Sequence, residues 1–219
     1  MSVSLAGRVA VVVARPGPAG DRIAAGLGAA GAEVARVGPP ADRAGAERAL
    51  AGHPDVVVWA DVDDDALVPA PVVGLAEAAW VRRCEDPITA LVWVVQAAHA
   101  HLRGRAGRLV VVCPSVALEG AAGLVPLAAG AEAQRLLAKS AARRWGPDGI
   151  TVNVVSVPVT ALDPTLAAGA TDAARTVPAL DGDDPLATAA ATVVWLASHD
   201  AGGVTGATIG ADGGALMLP

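Results

Sequence analysis

Short apolar bursts alternate with longer stretches of helical periodicity along the chain, the pattern of β-α-β units around a parallel sheet. Val9 to Ala14 is Val-rich, bounded by Arg8 and by Arg15-Pro16-Gly17-Pro18, and reads as a buried strand. A helix over Ala19 to Ala30 follows, closed by Gly31, then a strand over Glu33 to Val37 ended by Gly38-Pro39-Pro40. Ala41 to Ala51 reads as a short helix carrying the i,i+4 pair Arg43 and Glu47. Asp55 to Ala60 is a third strand, and an acidic turn with Asp61, Asp63, Asp64 and Asp65 comes after it. A long helical pattern from Gly74 to Arg103 is interrupted at Pro87. Further on come a strand (Arg108 to Cys113), an Ala-rich helix (Leu127 to Trp145), a strand (Thr151 to Val157), a helix (Pro185 to Ser198) and a last strand (Ala207 to Ala211). Pro158 to Asp184 reads as a long loop with one short helix. No internal repeat and no linker divides the chain, so residues 1–219 are expected to form one α/β domain.

Composition changes this picture in one respect above all. The chain has no Tyr, no Phe and a single Lys, Lys139, so no mechanism that needs a tyrosine acid is open to it. The bias toward Ala, Gly, Val, Arg and Pro is what a high-GC genome, expected to be bacterial, would produce. The net charge of −6 argues against nucleic acid or an anionic membrane as partner. No apolar run reaches membrane-helix length, and the first residues lack a signal-peptide pattern, which places the protein in the cytoplasm as an expectation. Cys84 and Cys113 stand apart with no metal-ligand spacing, so neither a disulfide framework nor a metal site is expected.

Four stretches resemble the short-chain dehydrogenase/reductases, in particular members like the 3-oxoacyl-acyl-carrier-protein reductases. They are Leu5-Ala-Gly-Arg-Val-Ala-Val-Val-Val, Gly107-Arg-Leu-Val-Val-Val, the run from Ala138-Lys-Ser to Val152-Asn-Val-Val, and the run from Leu196-Ala-Ser-His to Asp212-Gly-Gly. The resemblance spans nearly the whole chain. It implies a doubly wound, Rossmann-like parallel sheet, here one edge strand shorter than in the family, because only one short helix fits between the second strand and Asp55.

The resemblance also locates what is missing. Counted without gaps from Ala138-Lys-Ser, the family's catalytic tyrosine falls on Leu127 and its lysine on Ala131. The serine falls on Pro114, beside Ser115, and the tetrad asparagine, counted from Trp80, falls on Pro87. None of the four replacements carries a transferable proton or a charge. The family's glycine-rich phosphate loop reads Val13-Ala-Arg-Pro-Gly-Pro-Ala-Gly, a vestige in which Gly17 and Gly20 remain and Pro16 and Pro18 delete two N–H donors. No nicotinamide cofactor is therefore expected; the rival reading has Arg15 or Arg36 gripping a 2′-phosphate.

Trp59, Asp61, Ser115, Glu119, Leu127 and Ser156 are candidates to line the vacated cleft, with Asp61 and Glu119 as a possible carboxylate pair at strand ends. His99 and His101 are two apart on a helix and cannot form an i,i+4 metal pair, and His199 is expected at a helix end. Two functions follow. One is a catalytically inactive scaffold or regulatory subunit, self-associating or pairing with an active reductase through the two long helices, with Val95 and Leu137 on their outward side. The other is a cofactor-independent isomerase, cyclase or lyase of specialised metabolism. A residual NAD(P)-dependent oxidoreductase ranks behind both.

Overall fold

In the computed structural model, which describes residues 3–162, 178–180 and 184–217, the strands are β1 (Val9–Val13), β2 (Glu33–Val37), β3 (Val56–Trp59), β4 (Arg108–Pro114), β5 (Thr151–Val157) and β6 (Thr208–Gly210). They form one sheet in the order β2-β1-β3-β4-β5-β6, each parallel to its neighbours. β1, β3, β4 and β5 are buried along almost their whole length, as parallel strands covered on both faces must be. β2 is the free edge, with Glu33, Ala35 and Arg36 exposed. Only α2 (Arg43–Ala49) separates β2 from β3, and no strand among the described residues lies on the outer side of β2.

Side-chain alternation along the strands sorts the core into two layers. Val11, Val13, Val57, Trp59, Val111, Cys113 and Val154 pack against α2, α5 (Asp86–Leu102) and α7 (Val125–Trp145). Ala10, Val12, Val56, Val58, Val112 and Val155 pack against α1 (Pro18–Ala29) and the helix Pro185–Ala197, here α9. Short helices α3 (Asp64–Leu67), α4 (Glu77–Trp80), α6 (Val116–Glu119) and α8 (Val159–Leu162) decorate the ends of this frame. Asp42, Asp63 and Asp184 cap α2, α3 and α9 by accepting backbone N–H groups. Gly107 enters β4 where a Cβ would stand 2.4 Å from the Leu102 side chain, so the close turn out of α5 requires glycine.

The long helical pattern is broken twice. A π-helical turn over Val81–Glu85 joins α4 to α5, and Pro87 sits in the first turn of α5 directly after it. The expectation that Val95 faces outward is corrected: Val95 is 7% exposed and belongs to the core beneath α5. Leu137 packs partly buried against the same cluster, while its neighbour Leu136 is exposed, at 50%, and so is Val125 at the start of α7. Of the long loop expected over Pro158 to Asp184, α8 and residues 178–180 are described; 163–177 and 181–183 lie outside the described residues. No helix among the described residues is long and apolar enough to cross a membrane.

Candidate functional site

Two small cavities meet at the C-terminal ends of β1, β3 and β4, the end at which open α/β sheets bind ligands. The first, about 40 Å³, is bounded by the loop Arg15 to Gly20 on one side and by Ala60, Val62, Asp64, Leu67 and Leu162 on the other. Gly17 is the N-cap of α1 and no side chain caps that helix. The first N–H with an intrahelical partner is that of Asp21, which donates to the Gly17 carbonyl. Pro18 has no N–H to give, which leaves those of Ala19 and Gly20 as open donors at a positive helix end. Gly20 is required by packing as well, since its Cβ would stand 2.7 Å from that of Ala14.

Charges around this loop are locked in pairs. The Arg15 N–H donates to Asp61 Oδ1 at 2.8 Å, and the Arg15 guanidinium pairs with Asp61 at 3.7 Å and with Asp63. Arg36, from β2, pairs with Asp21 and donates to the Arg15 carbonyl at 3.3 Å. Burial raises the Asp61 carboxyl above the usual carboxylate range, against the opposing pull of the Arg15 N–H and guanidinium. The cradle thus offers two backbone donors and two guanidiniums to an anion, each guanidinium already holding a carboxylate.

The second cavity, about 20 Å³, is lined by Pro87, Pro114, Leu127 and Ala131 together with Asp61, Arg83 and Gln134, among others. Three different elements, α5, β4 and α7, bring the four residues together. Leu127 and Ala131 are 6% and 3% exposed. Gln134, one turn further along α7, is buried and accepts from Trp59 Nε1 at 3.2 Å. Arg83 holds Asp65 in a two-point pair, both contacts at 3.0 Å, and its guanidinium keeps that carboxylate below the usual range.

Of the other residues expected here, Trp59 lies fully inside the core and reaches the cavity only through Gln134. Ser115 is buried against β5, its N–H donating to the Val157 carbonyl at 2.7 Å. Ser156 faces the α7 side of the sheet beside Cys113, with its Oγ buried and unpartnered, and the Cys113 thiol is pushed up to about 12 by burial. Glu119 ends α6 exposed and does not meet Asp61. None of Trp59, Ser115, Ser156 and Glu119 lines either cavity. Gln134 and Arg83 were not anticipated. Gln134 repeats the Leu127, Ala131 face at helical spacing, a signal the sequence does contain; Arg83 depends on the π-turn, which the pattern does not reveal. His199 is exposed, and Ser198 rather than His199 closes α9, its Oγ donating to the Trp195 carbonyl at 2.7 Å.

Residues 66–215 match the family model described as enoyl-(acyl carrier protein) reductase. No protein of curated function matches the sequence. Among solved structures, a short-chain dehydrogenase/reductase from Brucella melitensis is similar over 100% of both chains at 21% identity, with a TM-score of 0.84. A protein from Beutenbergia cavernae described as an NAD(P)-dependent gluconate 5-dehydrogenase, with NADP bound at low occupancy, is 25% identical over 96% of this chain and 97% of its own, TM-score 0.80. A gluconate 5-dehydrogenase from Burkholderia cenocepacia, in complex with NADP and tartrate, is 22% identical over 96% of each chain, TM-score 0.78. These NADP-bound relatives overturn the expectation that no cofactor belongs here. That expectation counted the donors removed by Pro16 and Pro18 and overlooked the two that Ala19 and Gly20 keep at the start of α1. By the family match over more than half its length and by its fold, the chain belongs to the short-chain dehydrogenase/reductase family.

Proposed function

We propose that this protein is a member of its family that does not reduce carbonyl groups by a tyrosine relay, and that it serves as a scaffold or regulatory subunit, self-associated or paired with an active reductase. One observation carries the reading. Pro87, Pro114, Leu127 and Ala131, the positions where the family's four polar catalytic groups are expected, line a single cavity and carry neither a charge nor a transferable proton. Hydride transfer to a ketone leaves an alkoxide, and none of these four side chains can give it a proton.

The open N–H groups at the start of α1 suit the pyrophosphate of a nicotinamide dinucleotide, which when bound supplies a hydride donor or acceptor. The Ala19 and Gly20 N–H groups would hold its pyrophosphate at the start of α1. Arg15 and Arg36, once released from Asp61, Asp63 and Asp21, would face any further phosphate. Leu127 and Ala131 would shield the reacting end from water without protonating it. The dinucleotide then acts as a ligand that stabilises the subunit. Fluorescence titration with NADPH and NADH, followed by an absorbance assay with a panel of ketones and aldehydes, tests both halves. Saturable binding without substrate-dependent oxidation is the expected result; substrate-dependent NADPH oxidation overturns the non-reducing half, and no binding removes the dinucleotide.

A second reading, a cofactor-independent isomerase, cyclase or lyase, is favoured by Asp61. Asp61 is 4% exposed, its carboxyl pKa is raised by burial, and it lines the same cavity as Gln134. An activity found in a metabolite screen and abolished by Asp61→Asn would establish it.

A further inference from the structure

At the end of the sheet opposite the clefts, the turn entering β3 sets His53 against His101 in the last turn of α5. Their Nδ1 atoms lie 3.1 Å apart, and the rings meet edge to face at 65° with centroids 5.0 Å apart. His53 has φ 52, in the left-handed region that ordinary side chains avoid. Its backbone is fastened on both sides: the His53 N–H donates to the Leu50 carbonyl at 3.1 Å, and the His53 carbonyl accepts from Arg105 at 3.1 Å. A strained residue held in place by its surroundings is a reason to ask what its side chain does.

Two neutral imidazoles with their Nδ1 atoms turned on each other can share one proton or one cation. Nitrogen ligands at zinc stand about 2.0–2.1 Å from the ion, so two on a tetrahedral edge are about 3.3 Å apart. The observed separation is within a few tenths of an ångström of that edge. Burial, and next the neighbouring His53, lower the His101 pKa. Glu47, on the facing helix α2, adds negative charge at His101, and Arg105 opposes it. No group of three His, Cys, Asp or Glu side chains among the described residues could hold a metal ion, so water would complete the shell.

We propose that His53 and His101 form a two-histidine site for a divalent ion of the imidazole-preferring class, zinc or nickel, which clamps the end of α5 to the turn before β3. Hard ions such as Mg²⁺, which prefer an all-oxygen octahedron, are excluded by this donor pair. The site is independent of the function proposed above, being at the far end of the sheet.

Calorimetric titration of the full chain with Zn²⁺, with Mg²⁺ as control, tests it. The variants are His53→Asn, chosen because asparagine tolerates positive φ, His101→Gln, and the exposed His199→Gln as a control. One Zn²⁺ per chain is expected, weakened about tenfold or more in either pair variant and unchanged in His199→Gln. Zn²⁺ should also raise the unfolding midpoint of the wild type and of His199→Gln but of neither pair variant. Absence of Zn²⁺ binding, or binding that survives both His53→Asn and His101→Gln, would overturn the assignment and leave the contact an N–H···N hydrogen bond. Circular dichroism of each variant separates loss of a ligand from loss of fold, and either pair variant alone suffices if the other does not fold.

Discussion

Leu127 and Ala131 face a cavity of about 20 Å³ from one side of α7, too small to receive a tyrosine and a lysine without displacing neighbours. The double substitution Leu127→Tyr, Ala131→Lys should cost about 1–3 kcal/mol of stability by overpacking. It should leave NADPH oxidation at the blank rate, since Pro114 and Pro87 still hold no polar group; chemical denaturation and an absorbance assay read the two effects. Acid stability is a second matter decided by single residues. Asp65 and Asp148 are held below the usual carboxylate range, first by side-chain hydrogen bonds from Arg83 and His99 respectively. Their contribution is full above the ordinary carboxylate pKa and is lost as pH falls through their lowered values. Asp61 has the opposite sign: its folded pKa is raised by burial, so its contribution is present below the ordinary value and lost as pH rises through the raised one. Asp61→Asn, which keeps an oxygen for the Arg15 N–H, should therefore raise the unfolding midpoint at neutral pH and lose that advantage in acid. A series of thermal melts across pH checks this. The absence of Tyr could be read directly from the chain, and so could the small apolar residues at Leu127 and Ala131. The capture of Arg15 by Asp61 and Asp63 could not, because it depends on the loops after β1 and β3 lying side by side.

Helix α7 buries Leu127, Ala131, Gln134 and Ala138 on one face and exposes Leu136, Lys139 and Ser140 on another. If this helix and α5 carry an association surface, Leu136→Glu should dissociate the assembly while circular dichroism remains that of the wild type. Val95→Glu should instead unfold the protein, because a charge placed in the core beneath α5 costs about 4 kcal/mol or more. Light scattering and circular dichroism on the two variants separate surface from core. Strand β5 and strand β2 have the bounds their patterns dictate, since Val-rich runs closed by Gly and Pro leave little freedom. The region before α5 was less legible. Pro87 marks an interruption in the sequence, but a π-turn at Val81–Glu85 needs an extra residue per turn and leaves no periodic trace there. The same limit hid Arg83, which that turn aims at Asp65. α6 also escaped notice, being a single turn between β4 and Gly120.

On the scale of the molecule, the alternation of strands and helices in one parallel sheet, with β2 at an edge beside a single short helix, follows from the pattern. That much the chain's pattern dictates, because right-handed crossovers admit few alternatives. The donors of a phosphate cradle were not legible in the same way, for they are backbone N–H groups and side-chain identity reports on them only indirectly. Self-association should bury on the order of 1,000 Å² or more in a specific assembly, and a wild-type chain that stays monomeric at high micromolar concentration, alone and in cell extract, would contradict the subunit reading. The central claim is that the fold is intact and the proton relay is absent. Its most direct measurement is the rate of NADPH oxidation by the purified chain, at high enzyme concentration, with a broad panel of carbonyl compounds. The account predicts saturable NADPH binding and no oxidation above the blank. Substrate-dependent oxidation that persists in the purified chain, with more than one turnover per subunit, would contradict it.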